Sequence, residues 1–177
     1  MNFIKQHYDN IIQYDFINKF SLNNVSDIPK ITKIVVSFNF ANYSKKKALS
    51  CLLAIKLLTG QNGLILTSKT HNLRLKIKKG SPVACLVVLK KQSLETFLET
   101  FLFSILPNLN LEHFVLKNAN SLSFRIPKSF LVNELNNFYS FFKDILDLNI
   151  TIVSKTENIL KLVFLFNSFN IKSSTKH

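Results

Sequence analysis

Arg74, Lys76 and Lys78 stand at alternate positions at the start of the run LRLKIKKGSPVACLVVLKK, residues 73–91. In an extended chain these three bases share one face and Leu73, Leu75 and Ile77 share the other. The spacing therefore predicts a strand with a basic face. Gly80-Ser81-Pro82 breaks it, and the nearly all-apolar stretch from Val83 to Leu89 reads as a second, buried strand. The chemistry such a face offers is electrostatic: ammonium and guanidinium groups neutralise phosphate oxygens without making or breaking bonds. For one short segment, a hairpin with a solvated charged face accounts for the spacing equally well. The wider distribution of charge separates the two readings. No acidic residue lies between Asp27 and Glu95, yet that interval holds Lys30, Lys33, Lys45, Lys46, Lys47, Lys56, Lys69, Arg74, Lys76, Lys78, Lys79, Lys90 and Lys91. These thirteen bases equal the whole net charge of +13, because the remaining ten bases are balanced by ten acids. Self-repulsion at this density is relieved by a polyanion, either nucleic acid or an anionic membrane surface.

Residue patterns for other chemistry are missing. The only glycines are Gly60, Gly63 and Gly80, so there is no phosphate-cradling glycine loop, and HExxH, CxxC and GxSxG patterns are absent. His7, His71, His113 and His177 stand alone. Cys51 and Cys85 lie far apart within apolar runs, without metal-ligand spacing to the histidines, and read as reduced core thiols. Phe97, Phe101, Phe141 and Phe142 read as core rather than as base-stacking platforms. The expectation is a protein without catalytic residues, metal or cofactor.

A chain of 177 residues with 47% apolar residues and 17 Phe has the material for one domain with a real core. Only 19% of residues are charged, which leaves many apolar positions to be covered by permanent partners. No apolar run reaches the roughly 18 residues of a membrane span. The first twenty residues contain Asp9 and Asp15 and no Arg, unlike an organellar import sequence, and read as part of the mature fold. Lys outnumbers Arg 21 to 2, and Phe, Asn, Ile and Lys are abundant. All four have AT-rich codons, which points to an organelle genome.

The elements that must position the bases follow from periodicity. Ile4, Tyr8, Ile11, Ile12, Phe16 and Ile17 predict an amphipathic helix to about Phe20, ended by Asn23 and Asn24. Residues 31–40 alternate, with Ile34, Val36 and Phe38 on one face. Ser44 is placed as the N-cap of a helix over 45–59 and Gly60 as its left-handed C-terminal residue. Lys45, Lys46 and Lys47 then sit at the helix's positive end, a liability that a phosphate would offset. A short strand is expected at 64–67, a polar loop at 68–72, and a helix capped by Ser93 with Phe97, Phe101 and Ile105 on one stripe, closed by Pro107. Beyond it come a strand at 121–126, a helix at 132–145, a strand at 148–153 and a last helix from Thr156 and Glu157 to about Asn167. The order reads as an α+β fold, a single layer of largely antiparallel sheet packed with helices. It divides into an N-terminal helix and linker at 1–27, a body at 28–168 and a tail at 169–177, all one RNA-binding domain.

Ile28-Pro29-Lys30, Lys33-Ile34, the run Lys76-Ile77-Lys78-Lys79-Gly80-Ser81-Pro82-Val83-Ala84-Cys85, and Leu148-Asn149-Ile150-Thr151-Ile152 together resemble the large-subunit ribosomal protein five family, the universal protein of the central protuberance. Phe20 and Val25 match before Ile28, Gly60-Gln61 matches the family's Gly-Gln after its first long helix, and Thr67 and Lys69 match in the loop that follows. The resemblance implies a scaffold that binds 5S rRNA, touches the elbow of P-site tRNA through the loop before Gly80, and bridges to a protein of the small-subunit head. Other central-protuberance proteins are implied neighbours. On this reading the RNA-binding residues are Lys30, Lys33, Ser37, Asn39, Lys45, Lys46, Lys47, Gln61, Lys69, Lys90 and Lys91. The tRNA-contact loop is His71, Asn72, Arg74, Lys76, Lys78 and Lys79.

The chain also departs from the family pattern. Leu86 and Val88 replace a Lys and a Thr on the family's RNA-binding sheet face, and Val35 and Ser37 replace a Thr and an Asn. The loop expected between Glu112 and Ser121 is shortened to HFVLKNAN. The resulting expectation is an organelle-encoded, mitochondrial rather than plastid, ribosomal protein that binds RNA and does no chemistry. The alternative is a basic peripheral membrane-surface or general nucleic-acid-binding module of another family.

Overall fold

The computed structural model describes residues 3–22, 24, 27–40, 44–74, 76–108, 114–118, 120–127, 132–143, 145, 147–156 and 158–171. Of the positions singled out above, Asn23, Val25, Leu75, Glu112, His113, Glu157 and residues 172–177 lie outside the described residues. Six strands form a sheet of order β2-β3-β1-β6-β5-β4: β1 is Ile31–Asn39, β2 Leu64–Thr67, β3 Pro82–Leu89, β4 Phe114–Asn118, β5 Ser121–Ile126 and β6 Leu148–Ser154. The architecture is the expected α+β, an antiparallel sheet packed with helices. By its contacts the chain divides into two compact units, residues 1–34, 89–124 and 151–177, and residues 35–88 and 125–150.

The first unit opens with α1, Phe3–His7, which continues through a π-helical turn at Tyr8–Ile12 into α2, Gln13–Lys19. Ile4, Ile12 and Phe16 are buried as the periodicity requires, whereas Ile11 and Ile17 are exposed. The wider turn rotates the apolar stripe and takes those two off it. Phe16 and Phe20 meet Phe164 of α7, Ile159–Ser168, with Phe16 edge-on at 4.7 Å between ring centroids. Phe101, which extends α4 (Lys91–Thr100), packs against Phe124 of β5 at 5.0 Å. Strands β4 and β5 pair antiparallel, with Phe114 opposite Phe124. Backbone N–H groups of Ser154 and Lys155 donate to the carbonyls of Asn120 and Lys30, both at 2.9 Å, tying β6 to its two neighbours. Phe169 and Ile171 are buried, so packing continues past α7.

The second unit is built on α3, Lys45–Thr59. Ser44 accepts the Lys47 N–H at 3.1 Å, and Gly60 takes the left-handed conformation at φ +69°, where a side chain would be strained. Both ends match the sequence reading. Ala48, Cys51, Ala54, Ile55 and Leu58 of α3 are buried, as are Val36 and Phe38 of β1 and Cys85 and Val87 of β3. Phe40 donates its N–H to Val83 at 2.8 Å, joining β1 to β3. Cys51 and Cys85 are free thiols, and burial pushes them up to about 12 and about 11, so both stay protonated and unreactive at neutral pH.

Five expectations about the elements are corrected. The basic strand at 73–78 is a turn, described below. A strand, β4, occupies the stretch read as a shortened loop. The helix expected at 132–145 is two short pieces, α5 (Asn133–Asn136) and α6 (Tyr139–Phe142), parted at Phe138 with φ −119° and ψ 38°. Asn136 and Asn137 sit at the break, and asparagine side chains compete with helical backbone bonds. Finally, α4 starts at Lys91, two residues ahead of the supposed Ser93 cap, and α7 is capped by Asn158, whose Oδ1 accepts the Leu160 N–H at 2.9 Å.

Candidate nucleic-acid interface

The hairpin of β2 and β3 carries the tRNA-loop candidates. Its strands pair from Leu64 opposite Leu86 to Thr67 opposite Pro82. Beyond Thr67, Ser68 and Ser81 continue the ladder: the Ser68 N–H donates to Ser81 O at 2.8 Å and the Gly80 N–H to Ser68 O at 2.9 Å. Gly80 lies at φ +83° and supplies the turn out of the arm. At the tip, Asn72 and Ile77 exchange backbone bonds of 2.9 and 3.0 Å, and the Lys76 N–H donates to Leu73 O at 3.2 Å, with Lys76 itself at φ +52°. That left-handed residue is why the alternation of bases is not a strand: the chain reverses within it. Every described residue from Lys69 to Gly80 is exposed except Ile77, which is half-buried. His71, Asn72, Arg74, Lys76, Lys78 and Lys79 are thus held by backbone bonds on an arm that buries almost nothing.

The remaining candidates divide between the units. In the second unit, Lys45 and Lys46 are exposed in the first turn of α3, Lys47 is half-buried beside them, and Lys69 is exposed on the arm. Ser37 is half-buried and Asn39 exposed, on the face of β1 opposite Val36 and Phe38. Gln61 is half-buried and donates its backbone N–H to Thr59 Oγ1 at 3.3 Å. Leu86 is half-buried and Val88 is 40% exposed, so the two apolar replacements stand on the less buried face of β3. This unit has twelve bases against three acids.

In the first unit, Lys30, Lys33, Lys90 and Lys91 are all exposed. Lys30 Nζ lies 5.8 Å from the centre of the Tyr8 ring, and the Tyr8 hydroxyl donates to Pro29 O at 2.9 Å. Burial, with Asp9 adding to it, pushes that phenol up to about 12 and keeps it a donor. Lys90 is the N-cap of α4 without a side-chain bond, and Lys91 follows at φ +53°. Two bases outside the acid-free interval, Lys155 and Lys161, share a groove with Lys33, a grouping that a linear count of charge did not reveal. Among the described residues no group of three or more His, Cys, Asp or Glu side chains is placed to hold a metal, and no helix is long and apolar enough to cross a membrane.

No family model matches the chain. Individual proteins do. The chain is 29% identical over 177 residues to the large ribosomal subunit protein uL5m of Reclinomonas americana, covering 97% of each. It is 27% identical to the uL5 protein of Karelsulcia muelleri over 97% of this chain and 95% of that one. Over its whole length the chain is similar to uL5 proteins. Bacterial relatives such as uL5 of Campylobacter hominis match more narrowly, 33% identical over 109 residues, or 60% of each chain. Both relatives matched end to end are named as large ribosomal subunit proteins, the Reclinomonas one as the mitochondrial form.

Proposed function

We propose that this chain is a uL5 protein and a scaffold of the central protuberance of the mitochondrial large ribosomal subunit, gripping rRNA through phosphate contacts and presenting the tip of the β2–β3 hairpin to P-site tRNA. One observation carries the reading: of the thirteen bases in the acid-free interval, every one is exposed except half-buried Lys47. Bases so placed serve a polyanion better than they serve the fold. The rRNA is 5S rRNA or whatever replaces it; Leu86, Val88 and Val35 reduce the polar contact that this sheet face can offer. Lys45 and Lys46 at the positive end of α3 gain stability from a phosphate seated there. Protein neighbours, among them a bridge partner on the small-subunit head, suit the exposed apolar side chains, which include Leu49, Leu53 and Leu57 along one stripe of α3.

The test is the salt dependence of binding between the purified chain and a fragment of mitochondrial large-subunit rRNA. With about six phosphate contacts, affinity falls roughly a thousandfold between about 50 and 200 mM salt. A complex whose affinity does not change with salt contradicts the proposal.

A further inference from the structure

Within the first unit, the ends of β1 and β6 and the start of α7 surround an open groove of 740 Å³. Lys33 and Lys155 are exposed on it, and Lys161, one turn into α7, is half-buried. The backbone that presents them is fixed: the Lys155 N–H is bonded to Lys30 O at 2.9 Å, and Thr32 Oγ1 donates to Val153 O at 3.0 Å. Asn158 spends its side-chain oxygen on capping α7, which leaves its amide N–H groups as donors at the groove. Asp27 is the one acid in the described lining, and its carboxylate accepts the Asn24 N–H at 3.3 Å. Three ammonium groups face one carboxylate.

The lining also says what the groove does not suit. Among the described residues it has no aromatic ring on which a base could stack, and Val153 is the only apolar member. A bare base platform needs the first, and a drug-like ligand or a lipid surface needs far more of the second. Three ammonium groups against one carboxylate, in an open groove of 740 Å³, fit a charged polymer. We propose that this groove seats a stretch of RNA sugar–phosphate backbone, with Lys33, Lys155 and Lys161 on its phosphates and Asn158 donating beside them. The inference rests on the RNA-binding reading above and adds to it a second contact surface, one that holds RNA without reading sequence.

The experiment measures binding of the full chain to a short mixed-sequence RNA duplex across a salt series. The double variant Lys155→Gln, Lys161→Gln loses affinity roughly tenfold or more, and its salt slope falls by about 1.4 to 1.8, the loss of two phosphate contacts. The control pair Lys5→Gln, Lys143→Gln, exposed lysines outside the groove, changes neither. A groove variant with wild-type affinity and slope overturns the proposal, and so does a control pair that weakens binding as much. If the wild type binds with a steep slope and only the groove variant is unaltered, the groove fails alone. If the wild type shows no salt dependence, the RNA reading fails with it. Acetylation footprinting gives an independent readout in the unmutated chain: RNA shields Lys155 and Lys161, and their full modification in the complex overturns the assignment.

Discussion

Cys85→Asp is expected to prevent the chain from reaching its fold. Cys85 has no exposed surface, and its Sγ donates to the Ala48 carbonyl oxygen at 4.0 Å, which cannot donate to a carboxylate. An aspartate there must either ionise without a partner or hold a proton far above its normal range; either way it costs several kcal/mol. Total stability for a domain of this size is about 5–15 kcal/mol, so the loss removes most of it. Cys85→Ala is the comparator, since it gives up a small buried side chain and introduces no charge. Far-UV circular dichroism and denaturant melts of the two variants give the result: an unfolded or strongly destabilised Asp variant beside a folded Ala variant. An Asp variant within about 1 kcal/mol of wild type would mean that β3 presents its other face to the core.

Lys76→Glu, Lys78→Glu is expected to leave assembly intact and weaken P-site tRNA occupancy, on the order of tenfold or more, because two favourable charges become two repulsive ones. The hairpin tip makes this a clean test. Both residues are exposed, the tip is closed by its own backbone bonds, and no core side chain depends on them. Lys76 at φ +52° adds nothing that a glutamate would lose beyond the charge, as both side chains meet the same left-handed strain. Ribosomes carrying the double variant are to be compared with wild type for subunit yield and for tRNA retained in the P site. Subunits that fail to assemble would show that the tip grips rRNA permanently, and assembled ribosomes with normal occupancy would remove both roles.

Much of this was legible in the sequence where local rules and burial agree. Ser44 and Gly60 bound α3 because a hydroxyl cap and a left-handed glycine each do something few other residues can. The alternation of β6, Leu148 to Ser154, reproduces the buried and half-buried faces position by position. Legibility failed where tertiary placement decides. Arg74, Lys76 and Lys78 alternate like a strand, but Leu73, exposed at the tip, has no core to face and the chain turns instead. The strand β4 was hidden because a five-residue run beside asparagines reads as loop until β5 is there to pair with it. Lys155 and Lys161 were missed because their acids balance them along the chain, whereas in space Lys33 joins them.

The central claim, that the chain is a built-in constituent of the mitochondrial large subunit, is tested most directly by gradient sedimentation of mitochondrial lysate with the chain quantified by mass spectrometry in every fraction. The account predicts one peak that coincides with the large subunit and with intact ribosomes. A chain found at the top of the gradient among free proteins, or floating with membranes, would contradict it.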